Sequence, residues 1–386
     1  MEWRPWLSRW SKEWIRAAEE PEALEPDVVR DRWLGFAPAT PEAVEAAEER
    51  IGMRLPPSYR EFLLTTDGWR DAGIFVNRMS DTSGLGWVRD LESYWTEWDN
   101  LAGEEDEESG TGPVTRGLLI SAEADAGILF LDPGDVDENG EWAAYSLFSW
   151  RAAPPERHAS FHALMESLYA EFHRMRQPEG ETRDAWEAKV EQARVDALAG
   201  AVDDPEAVFG EAMEFGSTRA QLLLAQLLCF LGREREAMGI VADLLIEPDD
   251  RSARALFTEE FLPLMFVDHE RGDHSWRSTL QDVVAADDPE LVLHIAERHA
   301  VRHRGEEIPL NFGAPPAFDA AVREALDRHA DDPEALRRDV LDALPLWRPR
   351  TPDHIAPVAL LAHPALAAAF GDGHGHDLLT RPRGAR

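Results

Sequence analysis

Residues 55–68 read LPPSYREFLLTTDG, and this stretch decides how the first half of the chain is organised. Leu55, Pro56 and Pro57 enter in an extended conformation, because proline biases the residue before it away from the helix. A short amphipathic helix follows. Ser58 is placed to cap it through the free N–H groups of the first turn, and Glu61, three residues on, would complete a capping box. Tyr59, Phe62 and Leu63 fall at i, i+3 and i+4 and form one apolar face. Gly68 is free to take the left-handed conformation that ends a helix.

Ile51-Gly52, then LPPSYREFL, then Asp67-Gly68, resembles the signature of the SUKH superfamily. That superfamily includes bacterial immunity proteins against polymorphic toxins and fungal regulators of cell-wall synthesis. The resemblance runs over about residues 34–175. Asp67 stands where many members have asparagine before the glycine. The resemblance implies an α+β binding domain built on Leu55, Pro56, Tyr59, Phe62, Leu63 and Gly68, with no catalytic residues to carry over.

The flanking sequence agrees with such a domain. Thr40 and Pro41 suit the cap and first turn of a helix ending near Ile51. Beyond Gly68 the period drops towards two, and residues 74–77, 86–88, 118–121, 128–131 and 143–148 read as strands. Asn139-Gly140 is a hairpin signal, since both residues accept positive φ. Asp135-x-Asp137-x-Asn139-Gly140 also matches the start of a calcium loop. Ser146 occupies the position that needs a bidentate acid, so a plain turn is expected. A further helix over residues 160–175 would be capped by Ser160, with Phe161, Leu164, Leu168 and Phe172 on one face.

Ahead of the motif, Trp3, Trp6, Trp10 and Trp14 line one stripe of a helix that begins near Pro5. Such a stripe must be covered; the body of the same chain is the favoured cover, and a partner-binding face is the alternative. An acidic linker, residues 21–26, follows. Tyr94, Trp95 and Trp98 lead into residues 103–110, GEEDEESG. Glu104, Glu105, Asp106, Glu107 and Glu108 concentrate negative charge beside aromatics. These eight residues are the first candidates for contact with a basic partner.

From about Pro178 the pattern is wholly helical. Acidic breaks at residues 203–206, 248–250, 287–290 and 331–334 recur at roughly 40-residue intervals, as in helical-hairpin repeats. Aspartate as cap, proline next and glutamate after it suit a helix start. Residues 220–246 hold two helices about a Gly232-Arg233 break and loosely resemble a tetratricopeptide hairpin; a non-repetitive bundle is the alternative. The last residues, rich in Gly, Pro and Arg, read as a disordered tail. The expected organisation is thus a tryptophan-rich helix and linker (1–33), an α+β domain with a mostly antiparallel sheet (34–178), an all-α domain (179–370) and a tail (371–386).

The chain has 386 residues, 75 of them acidic and 39 basic, for a net charge of −36. Phosphate backbones and anionic membrane surfaces should repel it, and a basic protein should attract it. No apolar run is long enough to span a membrane, and the start of the chain lacks the apolar core of a signal peptide. The single cysteine, Cys229, lies among leucines and fits a buried thiol in a reducing cytoplasm. All thirteen histidines lie after Trp150, and on that ground the first domain is expected to offer neither histidine nor cysteine, which would exclude Ser–His, Cys–His and His-metal chemistry within it. His294, His299 and His303 share a helical stretch without a zinc-protease pattern, and His374 and His376 lie near the end. No catalytic, cofactor or metal site is expected. The function expected is non-catalytic protein binding, of the immunity type against a basic toxin domain, with an adaptor acting through its helical repeats as the alternative.

Overall fold

A computed structural model describes residues 2–99 apart from 19, 21 and 23, then 112–246, 255–264, 293, 296 and 310–384 apart from 372. The chain divides into two compact units, Met1–Asp184 and Ala185–Arg386.

The first unit opens with α1 (Trp3–Ala17), α2 (Pro26–Asp31), α3 (Pro41–Ile51) and α4 (Pro57–Thr65). Short strands β1 (Trp69–Arg70), β2 (Arg78–Met79) and β3 (Gly86–Trp87) follow, then α5 (Val88–Leu91) and α6 (Pro113–Arg116). The remaining strands are β4 (Leu118–Leu119), β5 (Ser121–Glu123), β6 (Gly127–Val136), β7 (Trp142–Phe148) and β8 (Glu156–His158), and α7 (Phe161–Arg176) closes the set. All described pairings are antiparallel, in a five-stranded sheet of order β3-β4-β6-β7-β8 and a three-stranded sheet of order β1-β2-β5. This is the α+β architecture that the alternating pattern and flanking helices imply.

Local chemistry explains several boundaries. Thr40 accepts from the Ala43 amide at 3.2 Å, and Ser160 from the Ala163 amide at 3.2 Å, each satisfying an orphan donor of a first turn. The β6–β7 turn is held by Asp137, whose Oδ1 accepts from the Asn139 and Glu141 amides at 2.8 Å, with Gly140 at φ 81°. The calcium-like motif is therefore a hairpin turn.

The tryptophan stripe is core. Trp3, Trp6 and Trp10 are buried, with ring centroids 5.4 Å from Trp3 to Phe62, 5.6 Å from Trp3 to Phe161 and 4.9 Å from Trp10 to Tyr169. Residues 1–33 thus do not stand apart as a separate segment. Their helix covers α4 and α7 of the same unit, because four indoles carry more apolar area than water tolerates.

Other expectations need correction. The helix starts at Pro57, so Ser58 lies inside it and caps nothing. Its hydroxyl and amide instead donate to Glu141 at 2.6 and 2.8 Å, a partner from the distant hairpin that no local pattern reveals. Glu61 consequently forms no capping box. The helix ends at Thr65, and Gly68, at φ 96°, turns the chain into β1 three residues later. Residues 74–77 are no strand. The Asp71 amide donates to Asn77 O at 2.9 Å and the Ala72 amide to Val76 O at 2.8 Å, which folds 71–77 into the loop of the β1–β2 hairpin. Asp71, at φ 52°, and Gly73, at φ 88°, make that turn.

The regular elements described in the second unit are helices, joined by irregular segments and one isolated bridge between Ala314 and Arg348. The unit contains α8 (Glu181–Ala199) from Ala185 onward, then α9 (Asp203–Glu214), α10 (Thr218–Phe230), α11 (Glu234–Ile246), α12 (Pro316–His329), α13 (Pro333–Ala343), α14 (Pro364–Phe370) and α15 (Gly375–Leu379). From Leu222 to Phe230 helix α10 is buried on every side, as expected for a largely apolar central helix. Its one polar interior side chain, Gln226, accepts from Ile355 N at 2.7 Å and donates to Asp353 O at 2.8 Å. Cys229 is buried beside it. The Gly232-Arg233 break separates α10 from α11, with Gly232 at φ 74°. Asp332 caps α13, accepting from Ala335 N at 3.1 Å, whereas α9 begins at Asp203 itself and has no side-chain cap. The breaks at 248–250 and 287–290 lie outside the described residues, as do His294, His299 and His303.

The end of the chain is folded where it is described. Leu378 and Leu379 of α15 are buried, and the buried Arg383 guanidinium donates to Leu379 O at 2.6 Å. The expected tail from 371 is therefore incorrect: a Leu-Leu pair within a Gly- and Arg-rich stretch supplies enough apolar area to anchor it.

Candidate functional site

The motif residues build the scaffold. Leu55, Tyr59, Phe62 and Leu63 are buried, and Phe62 meets Phe161 at 5.0 Å. Burial pushes the Tyr59 hydroxyl far above the ordinary tyrosine range, with the charges of Asp67 and Asp81 adding to it. Beyond α4, Asp67 accepts from the Thr82 amide and hydroxyl at 2.7 and 3.0 Å, and a Cβ on Gly68 would lie 3.1 Å from Met79 O. These contacts fix the start of β1 and thereby the loop that carries Asp71.

The aromatic segment is placed differently from its sequence reading. Residues Ser93–Glu97 form a 3₁₀ turn that exposes Tyr94 at 65% and buries Trp95 at 8%. Trp95 packs with Val88, Val114, Ile128 and Phe130, and Trp98 lies half-buried against the same cluster. Trp95 is therefore a core side chain and not a contact residue, because the tight turn points it inward. Only Tyr94 presents itself fully. Glu104, Glu105, Asp106, Glu107 and Glu108 lie outside the described residues.

A concave site lies elsewhere in the same unit. A cavity of about 520 Å³ is lined by Trp14 near the end of α1, Val28 of α2, Arg70 and Asp71 at the β1 end, Arg78 of β2 and Phe172 of α7. Trp14 and Phe172 form an aromatic wall with centroids 4.8 Å apart. Arg70 is engaged by Glu25 at 2.8 Å and Asp27 at 3.1 Å and lies over the Phe36 ring at 3.9 Å. Arg78 lies over the same ring at 4.8 Å.

Asp71 is the unusual group. Among the described residues no Lys, Arg or His forms an ion pair with it; its side-chain hydrogen bond is to Trp14. Burial pushes its carboxyl up to about 6; the charge of Arg70 and the Trp14 hydrogen bond oppose the rise, and Glu25 adds to it. The folded state therefore holds this proton more tightly than the unfolded chain does. Stability contributed by the protonated form is present at low pH and is lost as pH rises from about 4 to about 6. Asp71→Asn, which also tolerates positive φ, is expected to raise stability at pH 7 by on the order of 1–2 kcal/mol after allowing for partial exposure. Thermal unfolding at pH 7 and pH 4 checks this: the gain should disappear at pH 4, and a loss of stability at pH 7 would contradict it. Sequence reading missed Asp71 because its isolation depends on where every nearby arginine goes. Its Asp-x-Gly turn was the one local signal.

A buried polar cluster lies apart from this cavity. The Glu13 carboxylate accepts from Tyr169 OH, from the Thr182 amide at 3.0 Å and from His173 Nε2 at 3.1 Å, and Thr182 Oγ1 lies 2.7 Å from Tyr169 OH. All four side chains are buried. Desolvation raises the Glu13 pKa, but the hydrogen bonds from His173, Tyr169 and Thr182 outweigh it and leave the carboxyl below its ordinary value. The cluster joins α1 to the end of α7 and the start of α8. Glu13→Gln is expected to cost about 1–3 kcal/mol. Because the folded pKa is lowered, that cost is full above the unfolded carboxylate pKa of about 4.3 and shrinks as pH falls below it. Urea unfolding at pH 7 and pH 3.5 measures the difference; an equal cost at both would refute the charge-based account.

His158, His162 and His173 also belong to this unit, so the exclusion of histidine chemistry applies only before Trp150. Among the described residues no group of three His, Cys, Asp or Glu side chains is arranged to hold a metal ion. No described helix is long and apolar enough to cross a membrane.

Residues 38–167 match the model of the SMI1 / KNR4 family (SUKH-1). The match spans α3 to most of α7 and both sheets. It leaves outside α1 and α2, which supply one wall of the cavity, and Phe172 and Arg176, which supply another part of its lining. No significant match is found among curated proteins or among solved structures.

Proposed function

From the premise that the N-terminal half carries a SUKH-superfamily domain, we propose that this chain is a non-catalytic, immunity-type binding protein that neutralises a basic toxin domain in the cytoplasm. The observation that carries the reading is the coincidence of this domain with a net charge of −36. Such a field accelerates encounter with a cationic protein and disfavours nucleic acid and anionic membranes. Exposed Tyr94 and the acidic residues Glu104, Glu105, Asp106, Glu107 and Glu108 are the proposed rim of the contact, where charge steers and an aromatic anchors. Occlusion of the toxin's basic surface is the proposed mechanism. Co-expression with a toxin domain encoded beside its gene should protect the host cell. Undiminished toxicity at comparable expression would count against the reading.

A second reading assigns partner binding to the helical half, whose α10–α11 hairpin resembles a repeat unit. It predicts that a chain ending at Asp184 loses the partner; full binding by that chain would remove its basis.

A further inference from the structure

We propose that the cleft between Trp14, Asp71 and Phe172 receives the guanidinium or ammonium group of a basic side chain from a protein partner. This inference rests on the binding-protein reading and gives it a specific pocket.

Four observations converge. First, the position of Asp71 is fixed: its loop is closed by backbone hydrogen bonds of 2.9 and 2.8 Å, and its own φ of 52° sets the direction of the side chain. Second, among the described residues the carboxylate forms no ion pair with a Lys, Arg or His. In a chain with 39 basic residues, a partly buried acid without a counter-ion is a standing cost to the fold. The charge of neighbouring Arg70 offsets this only in part, because its guanidinium is turned to Glu25 and Asp27 at 2.8 and 3.1 Å. Third, the walls suit a cation. Trp14 and Phe172 present aromatic surface to the cavity, and ring faces attract guanidinium and ammonium groups. Fourth, a volume of about 520 Å³ is ample for one long side chain, and Glu20, Glu25 and Glu123 also line the cleft. Arg78 and Arg176 line it too, but the net charge of −36 keeps the wider field favourable to a cation. Most of the apolar walls come from residues before 38 and after 167, so the pocket is a feature of this chain beyond its matched family domain.

The test is a titration of the full chain, ¹⁵N-labelled at its tryptophan indoles, with N-acetyl-arginine amide. The Trp14 indole resonance is identified by its loss in Trp14→Phe. It should shift saturably with the arginine ligand and with the lysine analogue, and not with the leucine or glutamate analogues. Asp71→Asn should weaken this binding at least fivefold while the remaining indole resonances stay in place. No saturable shift, an unchanged titration in Asp71→Asn, or preference for the glutamate analogue would overturn the proposal. The two readings separate cleanly. If Asp71→Asn protects cells from the toxin as well as the parent chain does, the pocket is wrong and the binding reading stands. If protection is absent but the Asp71-dependent titration persists, the pocket stands and the immunity reading falls.

Discussion

Trp10→Ala is expected to lower the unfolding free energy of the first unit by about 3–5 kcal/mol, the usual cost of truncating a large buried aromatic. Trp10 is fully buried, with its ring 4.9 Å from Tyr169, 5.3 Å from Trp6 and 6.0 Å from Trp69. Truncation would open a cavity where α1 meets α7 and β1. The Glu13 cluster ties α1 to α7 and keeps them from closing over the gap. The prediction separates a helix that belongs to the core from an appended arm, whose truncation would cost little. Urea unfolding followed by tryptophan fluorescence measures it, and a change below about 1 kcal/mol would show that α1 is dispensable.

Arg116→Met is expected to cost a similar amount, about 3–5 kcal/mol, for an electrostatic reason. Asp132, in the middle strand β6, is fully buried, and Arg116 donates to both its oxygens at 2.7 and 2.8 Å. The Gly134 amide adds a third hydrogen bond at 2.8 Å. Removing the guanidinium leaves a buried carboxylate without its counter-ion, and the desolvation penalty then falls on the folded state. Adding Asp132→Asn to Arg116→Met should recover much of the loss, since the remaining group is neutral. A double-mutant cycle tests this, and additive losses would exclude the ion pair as the cause.

Both effects depend on groups that the sequence reading only half revealed. The tryptophan stripe was visible from its spacing, and so were the caps at Thr40 and Ser160 and the Asn139-Gly140 hairpin, because each is a local pattern with a local cause. The motif over residues 55–68 pointed to the α+β domain, and its apolar members do form the core. Long-range geometry was not legible. Ser58 resembled a cap until Glu141 reached it from the hairpin, and Trp95 resembled a contact residue until a 3₁₀ turn aimed it inward. Strands β1 and β8 are two and three residues long, too short to show a period. Asp71 is the extreme case: its significance is that no described Lys, Arg or His forms an ion pair with it, which is settled only when Arg70 has turned to Glu25 and Asp27.

The central claim is that this acidic chain works by binding a cationic protein. It is tested most directly by calorimetric titration of the full chain with a basic toxin domain sought among the neighbours of its gene, at 50 and 300 mM salt. The account predicts a saturable complex whose affinity falls as salt rises, because steering and rim contacts between opposite charges are screened. No heat of binding at 50 mM salt, with both proteins folded, would contradict it.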